Sequence, residues 1–206
     1  MNRSTNLFAT TGVSEPLGLK EAGRLARVRP PSQEAAALLM AIEIERKFLL
    51  RSSEWRASAS GSARLRQAYL AQDGGLSTRV RLIDATAATL TIKSRKAGLK
   101  RLEFEFAIPV ADAEALLALR QGAIIEKVRH NVPWHGQRWE IDVFEGENAG
   151  LVIAEIELQS EHDRFDLPTW LGAEITGEER YYNSRLVREP FCTWTGMTRA
   201  GAEPPN

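Results

Sequence analysis

The sequence predicts a mainly β, α+β domain: about eight antiparallel strands forming a barrel or tunnel with a charged interior and a few short flanking helices. Apolar and polar residues alternate with a period of two through run after run of strand length. Charged residues of a single sign stand two apart within those runs, so each pair shares a strand face. Helical periodicity is confined to short stretches between them.

The organising run is Ile42, Glu43, Ile44, Glu45, Arg46, Lys47 and Phe48. Glu43, Glu45 and Lys47 fall on one face and Ile42, Ile44 and Phe48 on the other. Arg46 lies opposite the charged face and reads as a solvated or helix-contacting residue. Two carboxylates at this spacing repel each other unless something cationic lies between them. Taken alone the run is a sheet with one wet face, but the pattern repeats in Arg79 and Arg81, Glu103 and Glu105, Lys127 and Arg129, and Glu155 and Glu157. Ordinary surface decoration mixes the signs. Segregated pairs predict a shared interior in which cationic strands grip an anion and anionic strands hold a cation.

In chain order, residues 1–39 have weak periodicity and a Pro30-Pro31 pair, and read as a disordered or loosely ordered leader. Residues 40–191 form the domain and 192–206 a disordered tail. A short helical or turn connection at 53–57 leads into a strand at 65–70, and Asp73-Gly74-Gly75 turns it into a hairpin with 77–83. Strands follow at 88–93, which puts Thr89, Thr91 and Lys93 on one face, and at 101–106, closed by Pro109. Residues 112–120 read as a short amphipathic helix with Asp112 as N-cap and Gly122 as its stop. Strands resume at 124–132, 137–144 and 151–158; 167–171 reads as helical or turn, and 178–186 as a last helix. The strands are expected in meander order, with their apolar faces turned outward and partly covered by the helices.

Composition narrows the function. The 206 residues suit one domain, and 27 basic against 27 acidic residues give no electrostatic reason for a nucleic-acid or membrane partner. Cys192 is the only cysteine, which excludes an internal disulfide and fits the cytoplasm. His130, His135 and His162 lack metal-ligand spacing, and the five tryptophans form no regular stacking platform for bases. Outward apolar residues leave room for a homodimer.

An interior with Lys47, Arg79, Arg81, Lys93, Arg101, Lys127 and Arg129 carries more positive charge than one phosphate needs, and matches a chain of them. Glu43, Glu45, Glu103, Glu105, Asp142, Glu155 and Glu157 offer hard oxygen ligands suited to Mg²⁺ or Mn²⁺.

The ordered series of Glu43-x-Glu45-x-Lys47, Arg79-x-Arg81, the Lys93 strand and the later Glu-x-Glu pairs resembles the CYTH superfamily, the triphosphate tunnel metalloenzymes, over about residues 40–191. Within that family the chain looks like the compact bacterial inorganic tripolyphosphatases, including its late Thr176-Gly177 and the run Arg180-Tyr181-Tyr182-Asn183. The resemblance implies an eight-stranded tunnel and metal-dependent hydrolysis of a linear triphosphate, most of all inorganic tripolyphosphate. It implies metal binding by Glu43 and Glu45 with Glu155 and Glu157, and a second metal or the attacking water held by Glu103, Glu105 and Asp142. It assigns phosphate contacts to Lys47, Arg79, Arg81, Lys93, Lys127 and Arg129, with Arg101 and Arg180 in the same role. It makes Tyr69, paired with Lys47, the proton acceptor, against the plainer reading of a packed strand tyrosine. Thiamine triphosphatase, adenylate cyclase and a non-catalytic polyphosphate- or nucleotide-binding module remain as alternatives.

Overall fold

The computed structural model describes residues 44–73, 75–94, 103–160 and 162–195. Glu43, Arg101, the expected leader at 1–39 and the tail from 196 onward lie outside the described residues. Nine strands make one antiparallel sheet: β1 (Ile44–Leu50), β2 (Gly61–Asp73), β3 (Leu76–Ile83), β4 (Ala87–Ser94), β5 (Glu103–Ala107), β6 (Gln121–Trp134), β7 (Gln137–Phe144), β8 (Val152–Leu158) and β9 (Leu171–Glu174). Their order is β5-β4-β3-β2-β6-β7-β8-β1-β9, so two meanders join where β2 meets β6, and β1 docks on β8 rather than on β2. The expected simple meander is corrected at those two places. Among the described residues β5 and β9 end the sheet, which curves around an interior without a hydrogen-bonded seam between them.

Local chemistry explains the connections. His135 and Gly136 both have positive φ, 46° and 78°, and close the two-residue turn between the paired Trp134 and Gln137. Both ladders of β2 change register next to Tyr69, and such a bulge bends a strand and re-aims its side chains.

Two apolar clusters lie on the outer face, as the alternation predicts. Phe48, Trp55, Trp139, Ile141, Ile156 and Trp170 form one of them. Ala68, Val80 and Leu82 form the other, under Ala113 and Leu117 of helix α1 (Val110–Ala118). Phe104 and Phe106, outward on β5, stay exposed.

A third cluster occupies the inner face. Leu49, Phe144, Ile153 and Ile125 stand two residues from Lys47, Asp142, Glu155 and Lys127, hence on the same faces as those charges. They pack against Ile175, Tyr181, Leu186 and Val187 and plug one end of the interior. Alternation gives a residue's face but not its height along the tunnel, so the expectation that apolar strand residues all turn outward holds only for the outer clusters.

Four local expectations are corrected. Helix α1 begins at Val110 after Pro109, so Asp112 lies in its first turn instead of capping it. Residues 171–174 form β9, whose Gly172 passes so near Leu49 that an added Cβ would stand 3.1 Å from its carbonyl oxygen. The last helix is broken: a 3-10 turn at Glu179–Tyr181 and helix α2 (Asn183–Leu186) flank an extended Tyr182. The break sends Tyr181 into the plug and Tyr182 towards the interior. Ordered structure also runs past 191, through a turn at Phe191–Thr193 to Trp194, whose ring meets Tyr181 at 5.3 Å.

Leu186 is fully buried in the plug, so Leu186→Ala is expected to lower unfolding stability by about 2–5 kcal/mol in urea titration. An unchanged midpoint would show that the plug is dispensable.

Candidate active site

The inner face encloses a cavity of about 550 Å³. Glu45 and Lys47 reach it from β1, Tyr69 from β2, Arg79 and Arg81 from β3, and Lys93 from β4. Glu103 and Glu105 reach it from β5, Arg129 from β6 and Glu155 from β8, while Tyr182, Asn183 and Ser184 close its C-terminal side. Parity and register explain the convergence: Tyr69, Arg79, Thr91 and Glu105 form one row across β2 to β5, and Lys93 and Glu103 stand opposite each other in the next.

The cavity is largely neutralised from within. Lys47 Nζ is 3.0 Å from Glu45 Oε2 and also pairs with Glu155. Burial works against the Lys47 ammonium, yet Glu155 and Glu45 outweigh it and hold its pKa above the usual lysine value. Burial likewise opposes the Glu155 carboxylate, but Lys47 and Arg129 keep its pKa well below the ordinary range. Arg129 forks onto Asp142 with two 2.7 Å bonds, donates to Glu155 at 2.6 Å and pairs with Glu140. Lys93 meets Glu103 at 2.6 Å. Arg79 donates to Thr91 Oγ1 at 3.2 Å, and that hydroxyl donates to Glu105 at 2.9 Å. Arg81 has only Gln67 as hydrogen-bond acceptor among the described residues, at 2.9 Å, and burial beside Arg79 and Arg129 pushes its pKa down to about 10.

Several sequence-predicted residues stand elsewhere. Asp142 and Lys127, both 0% exposed, pair with each other behind the cavity wall. Asp142 spends its oxygens on Lys127 and Arg129, so it is a buried counter-ion and not an open ligand. Lys127 lies 5.2 Å from the Phe144 ring centroid at the plug, and burial pushes its pKa down to about 8. Glu157 lies at a second opening with Glu140 and Arg138, one that shares Glu45, Arg129 and Glu155 with the cavity. Arg180 does not line the cavity; its guanidinium lies 3.9 Å from the Trp194 ring centroid. Arg46 is outside, bound to Glu174, in keeping with its opposite parity.

Sequence reasoning missed Gln67, Glu140, Tyr182 and Asn183 as parts of the site or its support. Gln67 had a legible signal, since it shares a face with Tyr69 two residues on. Glu140 shares a face with Asp142 and binds Arg129 and Arg138, although its end of the strand reads as solvated. Tyr182 and Asn183 depend on the broken helix, which the residue pattern does not announce.

A curved antiparallel sheet whose concave face carries arginine and lysine opposite carboxylates defines a charge-lined tunnel protein. The chain belongs to the CYTH domain family, whose model matches residues 41–186. It is 43% identical over 153 residues to an inorganic triphosphatase of Acetivibrio thermocellus, covering 74% of this chain and 97% of that protein. It is 36% identical over 150 residues to an inorganic triphosphatase of Nitrosomonas europaea, covering 70% of this chain and 96% of the relative. A crystal structure of an inorganic triphosphatase superposes with a TM-score of 0.55 at 34% identity, covering 72% of this chain and 95% of that one. The family membership read from the charged strands is borne out.

Because Asp142 is the counter-ion of fully buried Lys127 and of partly buried Arg129, Asp142→Asn is expected to cost about 3–5 kcal/mol of stability in chemical denaturation. Full stability with lost turnover would instead make it an open ligand.

Proposed function

We propose that this chain is a divalent-metal-dependent hydrolase of a linear triphosphate, with inorganic tripolyphosphate as substrate, acting in the cytoplasm. The observation that carries the reading is convergence: Lys47, Arg79, Arg81, Lys93 and Arg129, from four strands, line one cavity. One phosphate does not need so many cations, whereas a chain of phosphates presents charge along its length. Two relatives bearing the name inorganic triphosphatase support the choice of substrate. So does the wall, where the aromatic residues among the described lining are Tyr69 and Tyr182, with no Trp or Phe to sandwich a base.

The donor chemistry fits Mg²⁺ or Mn²⁺. Glu45, Glu103, Glu105 and Glu155 present hard carboxylate oxygens to the cavity. Among the described residues no three acidic or histidine side chains are already gathered at metal-binding spacing; their charge is met by Lys47, Lys93, Arg79 and Arg129. A bound divalent metal supplies Lewis acidity to the phosphoryl oxygens.

The chain's own residues do the rest. The forks of Arg79 and Arg129 hold non-bridging oxygens, and Lys47 and Lys93 neutralise the ends of the substrate. Tyr69, 8% exposed and opposite Arg79 in the β2–β3 register, acts as its phenolate, favoured by the surrounding cations, and takes a proton from the attacking water to become the neutral phenol. Each cation that turns to a phosphate leaves a carboxylate, and a buried carboxylate left alone is costly. Glu45, Glu103, Glu105 and Glu155, once released by their cations, would be the residues that hold the metal, so its presence would strengthen triphosphate binding.

Phosphate release from tripolyphosphate, ATP and thiamine triphosphate, each with Mg²⁺, Mn²⁺ or EDTA, tests the reading. Turnover is expected with metal, highest on tripolyphosphate, and absent in EDTA. Preference for ATP or thiamine triphosphate would move the substrate, and binding without any turnover would leave a polyphosphate-binding module. Tyr69→Phe is expected to reduce kcat by about 10²-fold with little change in KM, the size of a lost general base. An unaltered kcat would return Tyr69 to packing in the plug, where its ring also lies.

A further inference from the structure

Most cations of the cavity have a carboxylate within reach. Lys47 pairs with Glu45, Arg79 stands 3.7 Å from Glu105, Lys93 pairs with Glu103, and Arg129 with Glu155. Arg81 makes no ion pair among the described residues and feels Asp142 and Glu105 only at longer range; its one hydrogen bond there runs from Nε to Gln67 Oε1 at 2.9 Å. Gln67 stands directly opposite Arg81 in the β2–β3 register and is 0% exposed. Its Nε2 amide is buried with no hydrogen-bond partner. Thr89, opposite Arg81 on the β4 side, has a buried Oγ1 in the same condition, and so does Arg79 Nε, one inward-facing position away.

One row across β2, β3 and β4 thus gathers an amide, a guanidinium and a hydroxyl with donors to spare and no carboxylate among the described residues to accept from them. Buried donors without acceptors are costly, and of this row Arg81 is the member that lines the cavity, where an arriving oxyanion accepts from it. A carboxylate in place of Gln67 would serve the free protein better, since it would pair with Arg81; an amide keeps that charge available.

We infer that Gln67 is the positioning residue of an oxyanion subsite in this row: from behind the cavity wall its Oε1 holds Arg81 Nε, so that the guanidinium lines the cavity and presents its other donors to one phosphate of the substrate. The inference rests on the triphosphate reading and deepens it. Discrimination follows from the same geometry, because the row rewards an anion that brings no cation of its own, unlike the carboxylate-rich rows around Glu103 and Glu155.

The test is Gln67→Glu, which keeps the shape and the bond to Arg81 Nε but adds a negative charge. Calorimetric affinity for tripolyphosphate in EDTA is expected to weaken by about tenfold or more, and KM with metal to rise likewise. The melting temperature of the ligand-free variant is expected to match or exceed that of the wild type. A lower melting temperature with unchanged affinity would make Gln67 a structural residue and overturn the inference. If Gln67→Glu does not fold, Gln67→Met, which removes both polar ends at similar volume, is expected to weaken affinity several-fold, and wild-type affinity there overturns the inference equally. A wild-type protein that neither binds nor hydrolyses tripolyphosphate would overturn the triphosphate reading and this subsite with it. A wild type that binds, alongside variants that bind as well, removes only the role given to Gln67.

Discussion

Everything in this molecule depends on holding charges of one sign beside charges of the other on a surface that water scarcely reaches. An isolated ion there is strongly penalised, whereas a hydrogen-bonded pair is tolerated. The strand order meets the requirement. Cationic β3 and β6 flank β2, acidic β5 adjoins the Lys93 strand, and acidic β8 lies between β7 and Lys47 of β1. Arg129 is the clearest case: β6 pairs with β7, which brings Asp142 and Glu140 to its fork, and Glu155 comes from β8 beyond. The unusual ordering of strands and the neutrality of the interior are one fact seen twice.

An interior that is neutral before anything binds has a chemical use. A cavity of unopposed arginines would hold any polyanion and release it slowly, while one of unopposed glutamates would collect cations. With most of the partners matched, a ligand must offer both kinds of charge to displace both kinds of contact. The Gln67, Arg81 and Thr89 row departs from that balance, and marks where an anion has the first advantage.

Much of this was legible in the sequence because period-two alternation and like-sign pairs are strong local signals. Glu45, Lys47, Arg79, Arg81, Lys93, Glu103, Glu105, Arg129 and Glu155 all reach the cavity as their parity requires. What local pattern lacks is depth. Asp142 and Lys127 have the right parity yet are fully buried against each other, while Arg129, which also binds Asp142, is the member of the three that lines the cavity. Leu49 and Phe144 share faces with charged residues and fill the plug. The strand β9 was invisible because its four residues, Leu171 to Glu174, owe their conformation to the backbone of β1, which passes Gly172 closely enough that a Cβ there would be tight.

The plug also fixes when the molecule becomes competent. Lys47 finds Glu155 across 108 residues of chain, and among the described residues the strand neighbours of β1 are β8 and β9. Tyr182 and Asn183, from the broken helix, supply the last stretch of wall. During synthesis the first charged strand must therefore wait, exposed and unpaired, until almost the whole domain has left the ribosome. Such distant pairings are slow to form. Glu45, Arg46 and Lys47 discourage that waiting strand from pairing with the edge of another chain. The charges that make the cavity also protect its construction.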